Sequence, residues 1–256
     1  MMCNQFLTSS FSDLVNGKLR NVLSGAKKIV FISHGYWAGT SYGCDYDWQS
    51  KMASNIRRAE GQDVVTAVLC WNSDLLETFA GGRSLESGSA KKSRYDLIPS
   101  ADLFCQLDYA GGGPYYKCAS STAKLGEMLA GLMKVIKADT SISYFHGIGH
   151  SLGAHIMGNV FNFGGFKMDR ISGLDPAGPC FNGLSGEISI YKGSKYNLWG
   201  LTKRAADFVD NYHTDGDHFG TLKSKGHLDL FAGMKLSRKG PTIFPGKITS
   251  KSKLKD

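Results

Sequence analysis

Ser151 stands in Gly149-His150-Ser151-Leu152-Gly153, a serine with glycine two residues before it and two after. A serine hydroxyl is a weak nucleophile at neutral pH. To attack a carbonyl it needs a base to take its proton, a carboxylate to orient that base, and amide donors where the oxyanion forms. Asp175, in Gly173-Leu174-Asp175-Pro176, is the candidate carboxylate. The amide of Leu152 follows the nucleophile and is the first candidate oxyanion donor, and the amide of Tyr36 in His34-Gly35-Tyr36 is the second. The chemistry these parts share is acyl transfer, and the part left to find is the histidine.

These residues need a scaffold that brings them to one edge. Ser143-Tyr144-Phe145-His146-Gly147-Ile148 has the composition and length of a strand, and Ala154 to Phe161 has apolar residues at helical spacing. The serine therefore falls on a sharp strand-to-helix turn, a nucleophile elbow, where the backbone is strained and its neighbours pass too close for a β-carbon. Lys28 to Ser33 and Asp63 to Trp71 read as buried strands flanking a helix from Trp48 to Arg58. Residues 72–114, with their clustered glycines, read as a surface insertion. From Tyr116 to Ile136 a helix is expected, with Leu125, Met128, Leu129, Leu132 and Ile136 on its core face. Arg170–Leu174, Asp207–Tyr212 and His227–Phe231 are three further strands. Strands alternating with helices imply an α/β fold, a mainly parallel sheet covered on both faces. Functional residues in such sheets collect at the carboxyl ends of strands, where His34, Ser151, Asp175 and His213 fall.

With 256 residues, 42% of them hydrophobic, the chain suits a single domain spanning 1–256. No apolar run is long enough to span a bilayer. The first ten residues lack the basic start and apolar stretch of a secretory signal, so a cytosolic start is expected. Six cysteines are scattered without a C-x-x-C pair, which argues against zinc or redox chemistry; Cys105 and Cys118 are equally readable as a bridge or as free thiols. The net charge of +8 gathers late, and residues 240–256 read as a basic, solubilising tail, with contact to an anionic membrane as the second reading. No nucleic-acid-reading motif is present, so no nucleic-acid partner is expected.

The chain strongly resembles the pancreatic-lipase family of triglyceride lipases and phospholipases A1. VFISHGYWAG is similar to the family's oxyanion strand and loop, YYKCASSTAKLGEMLAGLM to its helix before the elbow, GHSLGAH to its nucleophile motif and ISGLDPAGPCF to its acid motif. AADFVDNYHTDG and GHLDLF resemble two later segments, in the same order. The resemblance implies an α/β-hydrolase fold, hydrolysis of lipid esters such as triacylglycerol or phospholipid at a lipid-water interface, no organic cofactor and no metal. It gives Ser151, Asp175, Tyr36 and Leu152 the roles argued above.

The departures concern the base. In the family the catalytic histidine follows the GHxDF segment, and here no histidine follows His227. His213 ends a strand at the active edge and is the best-placed substitute, although the family also carries a histidine at this HTDG position. His34, His146 and His150 read as packing or hydrogen-bonding residues, His155 points along the helix after the elbow, His218 sits in a loop, and His227 keeps its GHLD role. The cysteine pair that brackets a lid in the family is missing as well. Loss of a triad base can cost about 10⁶-fold in turnover. Two function classes follow, a lipid esterase and a non-catalytic lipase-fold protein for lipid binding, storage or assembly. Retention of both Ser151 and Asp175 favours the first.

Overall fold

The structure, a computed structural model, describes residues 23–36, 47–69, 71, 114–182, 198–216, 219–232, 234–237 and 240–243. The expected insertion at 72–114 lies outside the described residues except at its last position, as does the tail beyond 243.

Six strands form one all-parallel sheet: β1 Lys28–Ser33, β2 Val64–Leu69, β3 Tyr144–His150, β4 Met168–Leu174, β5 Ala206–His213 and β6 Leu228–Phe231, in the order β2-β1-β3-β4-β5-β6. Among the described residues three α-helices cross over it, α1 Asp47–Glu60, α2 Pro114–Asp139 and α3 Leu152–Asn162. This is the α/β-hydrolase arrangement expected from the sequence. Parallel strands need such crossovers, and the helices then bury both faces of the sheet, which is why β1 is buried from Ile29 to Ser33 and apolar from Ile29 to Ile32.

On one face Ile29, Phe31, Phe145, Ile171 and Val209 pack under α2 and α3. Every residue of α3 from Leu152 to Val160 is buried, because α2 lies over the side that the sheet does not cover. Each such Leu, Ile or Met contributes about 2 kcal/mol of transfer free energy. The opposite face carries Val30, Ile32, Val64 and Ile148 against Trp48, Met52, Ala53 and Ile56 of α1. Beyond α1, Phe208, Tyr212, Leu228 and Leu230 are exposed on that face.

Helix α2 starts on Pro114, whose missing N–H is one that a first helical turn leaves unbonded in any case. Its buried stripe runs Cys118, Thr122, Gly126, Leu129, Met133 and Ile136 in steps of three and four. Met128, expected in the core, is 56% exposed, because it lies about 100° around the helix from Leu129. Cys118 is buried in α2 and Cys105 lies outside the described residues, while Cys180 is disulfide-bonded. The late basic segment is structured where it begins: β7 Met234–Ser237 and β8 Gly240–Ile243 pair antiparallel, so residues 240–243 are strand rather than tail.

Candidate active site

Ser151 occupies the single residue between β3 and α3, at φ 54° and ψ −119°. Among the described residues the non-glycine positions with positive φ are Ser151, Asp175 and Cys180. Such backbone costs on the order of 1–3 kcal/mol per residue and persists only where the surroundings enforce it. The flanking glycines are that enforcement. A β-carbon at Gly149 would collide with the backbone of Gly153 and Ala154, and one at Gly153 would fall 2.5 Å from the carbonyl oxygen of His34. The first turn of α3 is thus pressed against the end of β1.

The same close approach brings the His34-Gly35-Tyr36 turn to the serine. A β-carbon on Gly35 would lie 2.6 Å from Ser151 Cβ and 3.1 Å from its Oγ. His34 braces this turn from behind. The backbone N–H of Trp71 donates to His34 Nε2 at 3.3 Å, so that nitrogen carries no proton and the ring's proton is on Nδ1, which donates to the carbonyl of Gly35 at 2.9 Å. The C=O and the N–H of one peptide group point in opposite directions. Holding the Gly35 carbonyl therefore also aims the amide of Tyr36. Trp71 stacks on the His34 ring at 5.1 Å and donates its indole N–H to the His34 carbonyl. Burial lowers the pKa of His34, which keeps the ring neutral and both bonds in place. The Tyr36 ring meets Tyr115 edge-on, and the Tyr115 hydroxyl donates to the carbonyl of Pro179 in the acid loop.

Asp175 follows β4 immediately, at φ 48°. Its N–H donates to Tyr212, and its Oδ1 accepts from the amides of Thr214 at 3.0 Å and Asp215 at 3.2 Å. The acid loop is tied to the elbow by two bonds: Ser151 N–H donates to the Leu174 carbonyl, and Ala177 N–H donates to the Ser151 carbonyl. Ser151 and Asp175 are both half-buried, and the side chain of Leu152 is fully buried, so its amide opens the N-terminus of α3. A helix N-terminus favours negative charge nearby.

The histidines are distributed as follows. His213 is 0% exposed at the end of β5; its Nε2–H donates to Asp229 Oδ1 at 2.8 Å and its ring stacks on Phe231. Asp229 also accepts from Asn211, Lys225 N–H and Gly226 N–H; burial alone would raise its pKa, and these bonds with the His213 one hold it down at about 2. His150 is exposed and meets Trp48 edge-on. His227 Nδ1 accepts from Val209 N–H. His146 and His155 are buried in hydrogen-bonded positions, and His218 lies outside the described residues. The structure thus brings together Ser151, Leu152, the Gly35-Tyr36 peptide and, through backbone bonds, the Asp175 loop, while the His213 ring is engaged with Asp229. The brace from Trp71 was absent from the sequence reading, since Trp71 looked only like the last residue of a strand. Among the described residues no cluster of three or more metal-ligating side chains occurs.

A family model described as Lipase matches residues 99–248. The chain is 36% identical over 135 residues to lipase member H of Rattus norvegicus, covering 52% of this chain and 28% of that protein. To phospholipase A1 member A of the same species it is 36% identical over 124 residues, 48% of this chain and 25% of the relative. To pancreatic triacylglycerol lipase of Mus musculus it is 33% identical over 144 residues, 52% and 28% respectively. The matched stretch is thus only about a quarter of each relative's length.

Proposed function

Since the chain belongs to the lipase family, whose model covers more than half of it, we propose that it carries the catalytic centre of a lipid ester hydrolase with Ser151 as the nucleophile. The observation that supports this most is the strained backbone of Ser151 at a strand-to-helix turn with the Gly35 peptide against it. Nothing in packing alone rewards that strain, whereas a nucleophile gains an exposed hydroxyl and two amides for the oxyanion.

In this reading the Ser151 oxygen attacks the ester carbonyl, and the amides of Leu152 and Tyr36 receive the negative charge of the tetrahedral intermediate. One oxyanion donor is worth roughly 10²–10³ in turnover. Asp175 orients the base: Oδ1 is held by two backbone amides, which leaves Oδ2 to face an imidazole. The base itself is assigned to His213. For Asp175 to orient this ring, its Nε2–H turns from Asp229, which it meets in this structure, to Asp175, leaving Nδ1, buried without a hydrogen-bond partner among the described residues, to take the serine proton. Substrates of this reading are triacylglycerol or phospholipid esters, as the names of the relatives indicate for those proteins.

A fluorophosphonate probe tests it. Labelling confined to Ser151 and abolished in Ser151→Ala is the expected result, and labelling at another residue, or none with Ser151 accessible, overturns it. His213→Ala tests the base separately: the rate collapses if Nδ1 serves Ser151 and is unchanged if another imidazole does.

A further inference from the structure

His155 is the second histidine of Gly149-His150-Ser151-Leu152-Gly153-Ala154-His155, and the acyl-transfer chemistry makes no use of it. It lies on the first turn of α3, one turn after Ser151, and is 0% exposed. The N–H of Leu201 donates to its Nδ1 at 3.1 Å, so Nδ1 is unprotonated, and the proton on Nε2 is donated to the carbonyl of Ala177 at 2.8 Å. Phe181 stacks on the ring at 3.6 Å between centroids and 10° between planes, and Gly200 approaches Nδ1 so closely that a β-carbon there would collide with it. Burial first, and then the charge of Lys225, lower its pKa well below the ordinary value, which keeps the ring neutral in this one tautomer.

Ala177 is two residues after Asp175, and its peptide groups are held on both sides. Its N–H goes to the Ser151 carbonyl, and its C=O receives the His155 proton. The elbow and the helix that follows it therefore grip the acid loop at one residue, through a bond from each end of a single helical turn. We propose that His155 is a positioning residue, setting the placement of Asp175 against Ser151 through the carbonyl of Ala177. The inference rests on the catalytic reading of Ser151 and Asp175.

Two substitutions separate this role from ordinary packing. Both His155→Gln and His155→Asn lose the stack on Phe181. A glutamine amide reaches the place of Nε2 and restores the donor to Ala177, whereas an asparagine oxygen reaches the place of Nδ1 and restores only the acceptor for Leu201. In labelling by a fluorophosphonate probe, His155→Gln is expected to stay within about threefold of the wild-type rate and His155→Asn to fall by about tenfold to a hundredfold, the loss that a misplaced catalytic group brings. In parallel, amide hydrogen exchange at Ala177 is expected to accelerate in His155→Asn and not in His155→Gln. Equal labelling and equal exchange in the two variants would overturn the proposal. If the wild type itself fails to label, the catalytic reading falls and the exchange comparison still decides whether His155 holds the loop.

Discussion

Two constellations of serine, histidine and aspartate lie on this sheet, and they differ in the property that matters. On the α1 side, Ser172 of β4, His146 of β3 and Asp210 of β5 are in direct contact: His146 Nε2–H donates to Ser172 Oγ at 3.0 Å, and Ser172 donates to Asp210 Oδ1 at 3.0 Å. All three residue types of a triad touch, yet the order is reversed. The serine proton goes to a carboxylate, the imidazole is a donor, and Asp210 is gripped by Arg170 through two bonds of 2.9 and 2.8 Å. At the carboxyl edge, Ser151 and Asp175 touch no imidazole that the described residues reveal, but they have what the first group lacks: positive φ, a helix N-terminus after the serine, and a loop glycine, Gly35, packed against it. On the proposed reading, backbone geometry, more than the company of residue types, sets Ser151 apart from the hydrogen-bonded Ser172.

The largest expected effect contrasts the two serines. Ser151→Ala should abolish probe labelling, a fall of about 10⁴-fold or more. Ser172→Ala should leave the labelling rate within about twofold while lowering stability by about 1 kcal/mol, since it removes a bridge between two buried polar groups. Labelling that survives Ser151→Ala and disappears in Ser172→Ala would invert the comparison. Next come the aspartates. Asp175→Asn keeps an oxygen for the Thr214 and Asp215 amides, so the fold should hold while labelling drops by about 10³–10⁴-fold. Asp210→Asn should do the opposite, sparing labelling and costing about 2 kcal/mol in urea denaturation, because Arg170 loses its bidentate partner.

A smaller effect belongs to His146 and is read by pH. Burial, and then the charges of Arg170 and Lys28, lower its pKa from 6.5 to about 4, with Asp210 opposing. As pH falls, the unfolded chain takes up this proton first. Stability from the neutral ring is therefore complete above pH 6.5 and is lost as pH falls toward 4, by about 3 kcal/mol in all. His34 and His155 act in the same direction, so the measurement is the difference between wild type and His146→Gln in urea midpoints across this window. Parallel pH profiles for the two would show that His146 carries no such linkage.

What was legible in the sequence follows from the range over which each feature acts. The strands and the Ser151 turn were legible because local demands dictate residue types: buried parallel strands need unbroken apolar runs, and a strained turn pressed against β1 needs glycine at 149 and 153. Asp175 could be placed at a strand end for the same reason. The Ser172 network was not legible, since strand register alone brings together residues 26 and 38 positions apart. The His34 brace spans 37 positions and uses the backbone of Trp71, for which no side-chain pattern exists. The orientation of His213 toward Asp229 was hidden too, because a strand end sets where a side chain starts and leaves open which neighbour it meets. Met128 shows the limit of periodicity: Leu125, Met128 and Leu132 form a plausible stripe, and only the placement of α3 decides that Met133 is buried instead.

The smallest effect tests whether a ring that touches no substrate matters at the elbow. His34 acts on the Tyr36 amide only through the Gly35 carbonyl, so its loss should loosen a donor rather than delete one. His34→Gln is the informative change. The longer amide can still accept from Trp71 N–H in the place of Nε2, which preserves the strand-end contact, while the donor from the Nδ1 position is gone. Labelling should slow by about tenfold, well short of the 10²–10³ that removal of a whole oxyanion donor costs. Stability should change by about 1 kcal/mol, the worth of one net hydrogen bond. His34→Asn, which keeps a donor near Gly35, should label faster than His34→Gln even if it is the less stable of the two. A labelling rate that simply tracked stability across the two variants would mean that His34 holds the strand end together and has no part in aiming the Tyr36 amide.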